Sequence, residues 1–357
     1  MTVSQRNDPA DVASGPLSGV TVVEMAGLGP APYAAGFLAD LGATVTRISA
    51  PTADAPLPWT VDGSTRMTRT LDLRTDAGRS GALDEICGSD ILIEGFRPGV
   101  MERLGLAPHR CHEVNPGLVY GRITGWGQHG PLAQRAGHDI NFLALSGALS
   151  MIGPPGDRPV VPVNMVADFG GGAMFLIAGV LAGLVARSSG RAGCVVDAAM
   201  VDGVGSLLDT VWTLRAAGEW QKPRGHNLLD GGAPFYDTYT CADGGWIAVG
   251  ALEPRFYALV LEGLQEFADV TGWPDQYDDE RWDELRGALG RVFALHERDF
   301  WAARFAETDA CVTPVLSLDE SVRHPHLRAR RAHVENQAGA VRAAPAPRVA
   351  FASAAEH

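Results

Sequence analysis

VTVVEMAGLGPAPYAAGFLADLGATVTRIS, residues 20–49, reads as strand, helix, strand. VTVVEMA is rich in strand formers. PAPYAAGFLADLG has apolar residues at helical spacing, prolines near its start and Gly42 at its end, the asymmetry that marks helix termini. ATVTRIS is a second strand-forming run. Two strands joined through a helix imply a parallel sheet. The turn before the helix, GLGPAP, carries the first two glycines of a dinucleotide fingerprint, Gly27 and Gly29. Pro32 stands where the third belongs, so the glycine that lets helix and strand approach is missing, and nicotinamide or flavin binding is not expected.

Outward from this unit, DILIEGF (90–96) and GLVYGRITG (117–125) predict two more strands. GCVVDAAMVDGVGSLLDTVWTLRAAG (193–218) starts as a strand and becomes one long helix. The longest apolar run, AMFLIAGVLAGLVA (173–186), is too short to span a bilayer and predicts a buried helix. After it the texture changes. Glycine, aspartate and aromatic residues dominate 219–252, with strand runs at 235–241 and 246–252 separated by turn signals, the pattern of an antiparallel hairpin. A mostly helical stretch runs to Glu307, and CVTPVLSLDE passes from strand to helix. A second, smaller α+β domain is placed at 222–320 on this change.

Composition bounds the function. The chain has 357 residues and a formal charge of −13, which argues against a broad nucleic-acid surface. Its five cysteines form no C-x-x-C pair and no zinc spacing, as expected of reduced thiols in a cytoplasmic protein. The H-x-H of His324 and His326 lacks the partners of a metal site. The first fifteen residues are polar, lack a signal-peptide core and are expected to be disordered.

Three titratable residues stand at strand-to-helix or loop-to-helix junctions, where open α/β folds hold ligands. His138 precedes the helical run DINFLALSGALS. At a helix N-terminus the local potential disfavours the imidazolium, and the next N–H, that of Asp139, is free to receive an oxyanion. Asp168 opens the glycine-rich start DFGGGAMF, where aspartate is a preferred N-cap and capping alone explains it better than a functional role. Glu253 ends a strand just before Pro254. A first-turn glutamate is also common for dipole reasons, and a histidine near an apolar helix is often a packing residue.

Longer stretches carry a resemblance: GWGQHGPLAQRAGHDINFLALSGAL, ADFGGGAMFLIAGVLAGL, VVDAAMVDG and LLDGGAPFYDTYTCADGGWIAVGALEP. In this order, from residue 15 to the final PAPR, the chain resembles the family III CoA-transferase superfamily of CaiB/BaiF type, and within it the α-methylacyl-CoA racemases. The resemblance implies an interlocked homodimer. Each chain would have a large doubly wound α/β domain built from both chain ends (1–221 and 321–357), with active sites between the large domain of one subunit and the small domain of the other. It implies inversion of the α-carbon of 2-methyl-branched acyl-CoA thioesters through an enolate, without a separate cofactor, nucleic acid or membrane, since CoA is part of the substrate.

Carried over from the motif G-H-D-I-N, the resemblance makes His138 and Asp168 the two acid/base groups. Glu253 partners the histidine, and the Asp139 N–H holds the thioester oxygen. Arg97, in F-R-P-G, and Arg47, ending the second strand, contact CoA, with Arg66 a further contact. The family's adjacent basic pair before LDL is interrupted here, Arg66 and Arg69 being separated by Met67 and Thr68. True CoA transferases of the superfamily use the aspartate at the position of Asp168 as a nucleophile and generally lack the histidine. Transfer, or epimerisation of an unusual thioester from secondary metabolism, is the alternative reading.

Overall fold

The strand–helix–strand reading resolves into β1 (Thr21–Met25), α1 (Pro30–Asp40) and β2 (Thr44–Ser49). The computed structural model describes residues 15–51, 66–335 and 339–351, so residues 1–14 of the stretch expected to be disordered lie outside the described residues. β1 and β2 run parallel, from Thr21 opposite Thr44 to Met25 opposite Ile48. Gly29 precedes α1 with φ 67°, a left-handed conformation that favours glycine. Ala34, Ala35 and Leu38 of α1 are fully buried.

β3 (Met67–Thr70), β4 (Ile91–Glu94), β5 (Val119–Thr124) and β6 (Cys194–Ala199) complete a six-stranded sheet of order β3-β2-β1-β4-β5-β6. Every neighbouring pair is parallel. The chain winds outward from β1 through β2 to β3, then resumes on the other side with β4. The crevice beyond the carboxyl ends of β1 and β4 is therefore the switch point at which doubly wound sheets bind ligands. The sequence did not signal β3: it is an edge strand exposed at all four positions, with no buried face to impose a periodicity.

The helices of this unit after α1 are α2 (Asp76–Cys87), α3 (Val100–Arg103), α4 (Pro108–Val114), α5 (Asp139–Ser146), α6 (Met174–Ser188) and α7 (Met200–Leu207). A π-helical segment, Met165–Ala173, runs directly into α6. Together they form a 24-residue helix, long and apolar enough to cross a membrane. The expected buried helix is only partly so. Leu176, Ile177 and Val180 are buried, whereas Met174, Phe175 and Val185 are exposed. One stripe alone faces the sheet, where Gly179 lies against Val196 and Gly183 against Val119.

The single long helix expected after β6 breaks at Leu208, between α7 and α8 (Asp209–Ala216). The break coincides with a change of compact unit. The first unit comprises residues up to Ala148, Pro162–Asp209 and residues from Val334; the second comprises Leu149–Val161 and Thr210–His333. The second thus differs in extent from the expected 222–320 and includes a piece far earlier in the chain. Arg224 holds that piece, donating to the carbonyls of Ser150, Pro154 and Asp157.

In the second unit β7 (Tyr236–Thr240), β8 (Trp246–Gly250) and β9 (Val312–Pro314) form an antiparallel sheet. α9 (Pro254–Leu264), α10 (Trp282–Phe293) and α11 (Arg298–Phe305) contribute Leu264, Leu289, Phe293, Trp301 and Phe305 to one apolar core with Phe235, Tyr239 and Ile247.

Candidate active site

Two helix starts of the first unit carry the titratable residues. α5 begins at Asp139, with His138 as its N-cap in extended conformation (φ −130°, ψ 173°). The His138 N–H donates to Asn141 Oδ1 at 3.1 Å. The His138 carbonyl accepts from the N–H groups of Asn141 (2.8 Å) and Phe142 (3.4 Å). Those of Asp139 and Ile140 have no acceptor within the helix, as the geometry of a first turn requires. The His138 side chain is exposed, whereas Asp139 is 4% exposed. Trp126 and Phe142 pack edge to face at 4.7 Å behind this start. A Cβ on Gly125 would lie 2.0 Å from the Phe142 ring, so only glycine lets the chain leaving β5 pass so close.

Asp168 lies in the fourth position of the π-helical segment and does not cap it; the cap is Asn164. The expected capping role passes to a residue distant in sequence. Asp139 Oδ2 accepts from the N–H groups of Ala167 and Asp168, both at 2.8 Å. Short π-helical turns occur often at functional sites because they turn side chains out of the α-helical register. The turn into this one is strained: Val163, β-branched, has φ 58°. Just after it, Asn164 Nδ2 stands 3.5 Å from Asp168 Oδ2. Sequence reading missed Asn164. Its signal was the i, i+4 spacing to Asp168, visible only once that stretch is known to be helical.

The Asp168 carboxyl is half-buried and holds its proton more tightly than an ordinary aspartate. Burial is the main cause and the nearby Asp139 carboxylate the second, while Asn164 and His138 pull the other way. Gly29, in the turn after β1, faces it: a Cβ there would lie 3.8 Å from Asp168 Oδ2. Tyr33 and Phe169, with ring centroids 4.6 Å apart, join α1 to the same segment. His138, Asp139 and Asp168 thus gather around one switch-point crevice. Glu253 belongs to the second unit, exposed at the N-cap of α9.

A testable consequence concerns stability. The folded-state pKa of Asp168 is raised, so the stability its neutral form confers is complete below about pH 3.9 and is lost as pH rises through the folded value. At neutral pH the ionised carboxylate works against folding. Asp168→Asn is therefore expected to melt higher than the wild type at pH 7.5, with a smaller gain at pH 4.5. A lower melting temperature at pH 7.5 would contradict the assignment.

The arginines divide. Arg97, just beyond β4, is exposed and has no ion-pair partner among the described residues. Arg47 Nε lies 3.7 Å from Glu24 Oε1, its side chain 21% exposed. Arg66, expected at CoA, is turned inward instead. Its side chain is 2% exposed, Nη1 donates to Glu24 Oε2 at 2.7 Å, and Nη2 donates to the Pro32 carbonyl at 2.6 Å. The reason is electrostatic: Glu24 on β1 is wholly buried, and an unpaired carboxylate there would be costly. The Pro32 carbonyl, in the first turn of α1, thus serves as an acceptor for this arginine.

Comparison with known proteins agrees with this architecture. The model of CoA-transferase family III matches residues 17–357. The chain is 42% identical over 332 residues to human alpha-methylacyl-CoA racemase, covering 93% of this chain and 86% of that protein. It is 43% identical over 319 residues to the mouse protein of the same name, covering 89% and 82%. Among solved structures, a CaiB/BaiF family protein from Brucella suis superposes with TM-score 0.79 at 23% identity, over 95% of this chain and 93% of that one. The chain belongs to CoA-transferase family III.

Proposed function

We propose that this protein inverts the α-carbon of 2-methyl-branched acyl-CoA thioesters. The observation that carries the reading is the pairing of His138 with Asp168 at two helix starts joined through Asp139. Inversion needs one proton acceptor and one proton donor on opposite faces of the carbon. One group takes the α-proton, and the electrons of the broken C–H bond move into the thioester carbonyl, giving an enolate. The other group then delivers its proton to the opposite face, closing a new C–H bond and restoring the thioester. The two groups have exchanged protonation states, which equips the enzyme for the opposite enantiomer.

The raised proton affinity of Asp168 suits this traffic. Burial and the neighbouring Asp139 carboxylate raise it, so Asp168 carries a proton more readily than an ordinary aspartate and can act as the donor as well as the acceptor. A transferase nucleophile needs the reverse, a readily ionised carboxylate. The enolate oxygen is assigned to the Asp139 N–H, unpartnered at a helix start where the dipole favours negative charge. Arg97 and Arg47 are assigned to the phosphates of CoA. The protein acts as a homodimer in which Glu253 of a second copy approaches His138 and stabilises its charged form. Similarity to the two racemases supports the substrate class.

The test is to incubate the purified protein with each enantiomer of a panel of 2-methylacyl-CoA thioesters in D2O. Deuterium is expected at the α-carbon, with convergence of the two enantiomers. Absence of exchange with every branched thioester would sink the proposal. Loss of CoA to an added carboxylate, with a hydroxylamine-trapped adduct on Asp168, would replace it with the transferase reading.

A further inference from the structure

The proposed mechanism uses only the backbone of Asp139. Its side chain is the least accessible charged group of the cluster, and beyond capping the π-helical segment it has no part in the proton transfers. The residue is 4% exposed, and Asp139 Oδ1 is buried without a hydrogen-bond partner. Burying a carboxylate is costly unless hydrogen bonds or a counter-charge compensate it. Asp139 Oδ2 receives two N–H groups at 2.8 Å, those of Ala167 and of Asp168 itself. These amides lie in the first turn of the π-helical segment and have no acceptor within it. The same residue follows His138 directly in the chain. One carboxylate therefore connects the backbones of two residues whose side chains must stand on opposite faces of one carbon.

Resting on the racemase reading, we infer that the Asp139 carboxylate is a positioning residue: it fixes the Asp168 backbone to the helix start bearing His138 and so sets the spacing of the two proton carriers. Proton transfer falls off steeply when donor and acceptor leave hydrogen-bond reach, and a displacement of about 1 Å can cost ~100-fold in rate. The carboxylate also lies close enough to Asp168 to raise its proton affinity. Removing the charge while keeping the shape should therefore disturb the Asp168 face more than the His138 face.

The experiment uses Asp139→Asn, which leaves the backbone N–H in place. Each enantiomer is followed in D2O, and exchange with retention is separated from inversion by chiral analysis. The expected result is inversion slowed 10- to 100-fold, with KM within about twofold. For the enantiomer that His138 deprotonates, exchange with retention should rise relative to inversion, because the enolate forms but its second proton arrives late. The opposite enantiomer should lose exchange and inversion together. Wild-type inversion rates, or equal loss of both exchange rates, would overturn the role of Asp139 while leaving the racemase reading intact. A wild-type protein that exchanges nothing would remove the reading itself. Should the variant not fold, residue-resolved amide exchange on the wild type serves. The Ala167 and Asp168 amides should be protected, and free exchange at both would refute the clamp.

Discussion

His138→Ala is expected to slow inversion of a 2-methylacyl-CoA by about a thousandfold, within the 10²–10⁴ range typical of a lost acid/base group. The loss should be one-sided in a specific way. With Asp168 left as the only proton carrier, the enantiomer whose α-hydrogen faces it should still exchange with D2O and keep its configuration. The other enantiomer should be inert. Asp168→Ala should show the mirror pattern, exchanging only the enantiomer that His138 serves. Two variants that exchange the same enantiomer, or inversion within tenfold of the wild type in either, would remove the two-base assignment. The design also tests the dimer. In the proposed homodimer, co-expressed His138→Ala and Glu253→Ala chains would form mixed dimers in which one site keeps both residues. Activity above that of either variant alone is the expected outcome.

Gly203→Ala carries the second large effect, and its sign separates two physical arguments. Gly203 sits inside α7, where alanine is ordinarily more stabilising than glycine by about 1 kcal/mol. The packing reverses this. A Cβ at residue 203 would lie 1.8 Å from the carbonyl oxygen of Gly171, and one at residue 171 would lie 2.8 Å from the Val204 nitrogen. The two helices touch backbone to backbone, so no side chain can rotate away. Overpacking of this kind costs roughly 3 kcal/mol. In a chain of this length that is a fall of about 4 °C in Tm. Gly171 is three residues beyond Asp168 in the same π-helical segment, so activity should fall with stability. Gly205→Ala is the control: nothing lies within 4 Å of a Cβ there, and Tm should hold or rise. Equal stabilisation by both substitutions would mean that the helices are not in backbone contact.

These effects mark how far reading along the chain reached. Residues 20–49 were sufficient for the strand–helix–strand unit, because Gly42, the prolines of α1 and the strand formers on either side act over a few residues. Five more strands, β4 to β6 and the two of the β7–β8 hairpin, carried similar local signals. The start of α5 at Asp139 was also legible, since a polar N-cap before an apolar run is a local pattern.

Other features depended on residues that only folding brings together. Arg66 looked like a ligand for phosphate, yet it neutralises Glu24, 42 residues earlier, because a buried carboxylate takes whichever cation the sheet brings near. Capping its own helix was one explanation for Asp168, yet Asn164 holds the N-cap position and Asp139, 29 residues before Asp168, accepts from the first-turn amides. Asn164 gained a partner only when its stretch became helical, and residues 149–161 joined the second unit through Arg224. Signals between neighbouring residues marked most of the strands and the start of α5, because they act within a few positions of the chain. Tertiary structure alone decided which buried polar group satisfies which, because that choice depends on the three-dimensional neighbour and on the cost of leaving a charge unpaired.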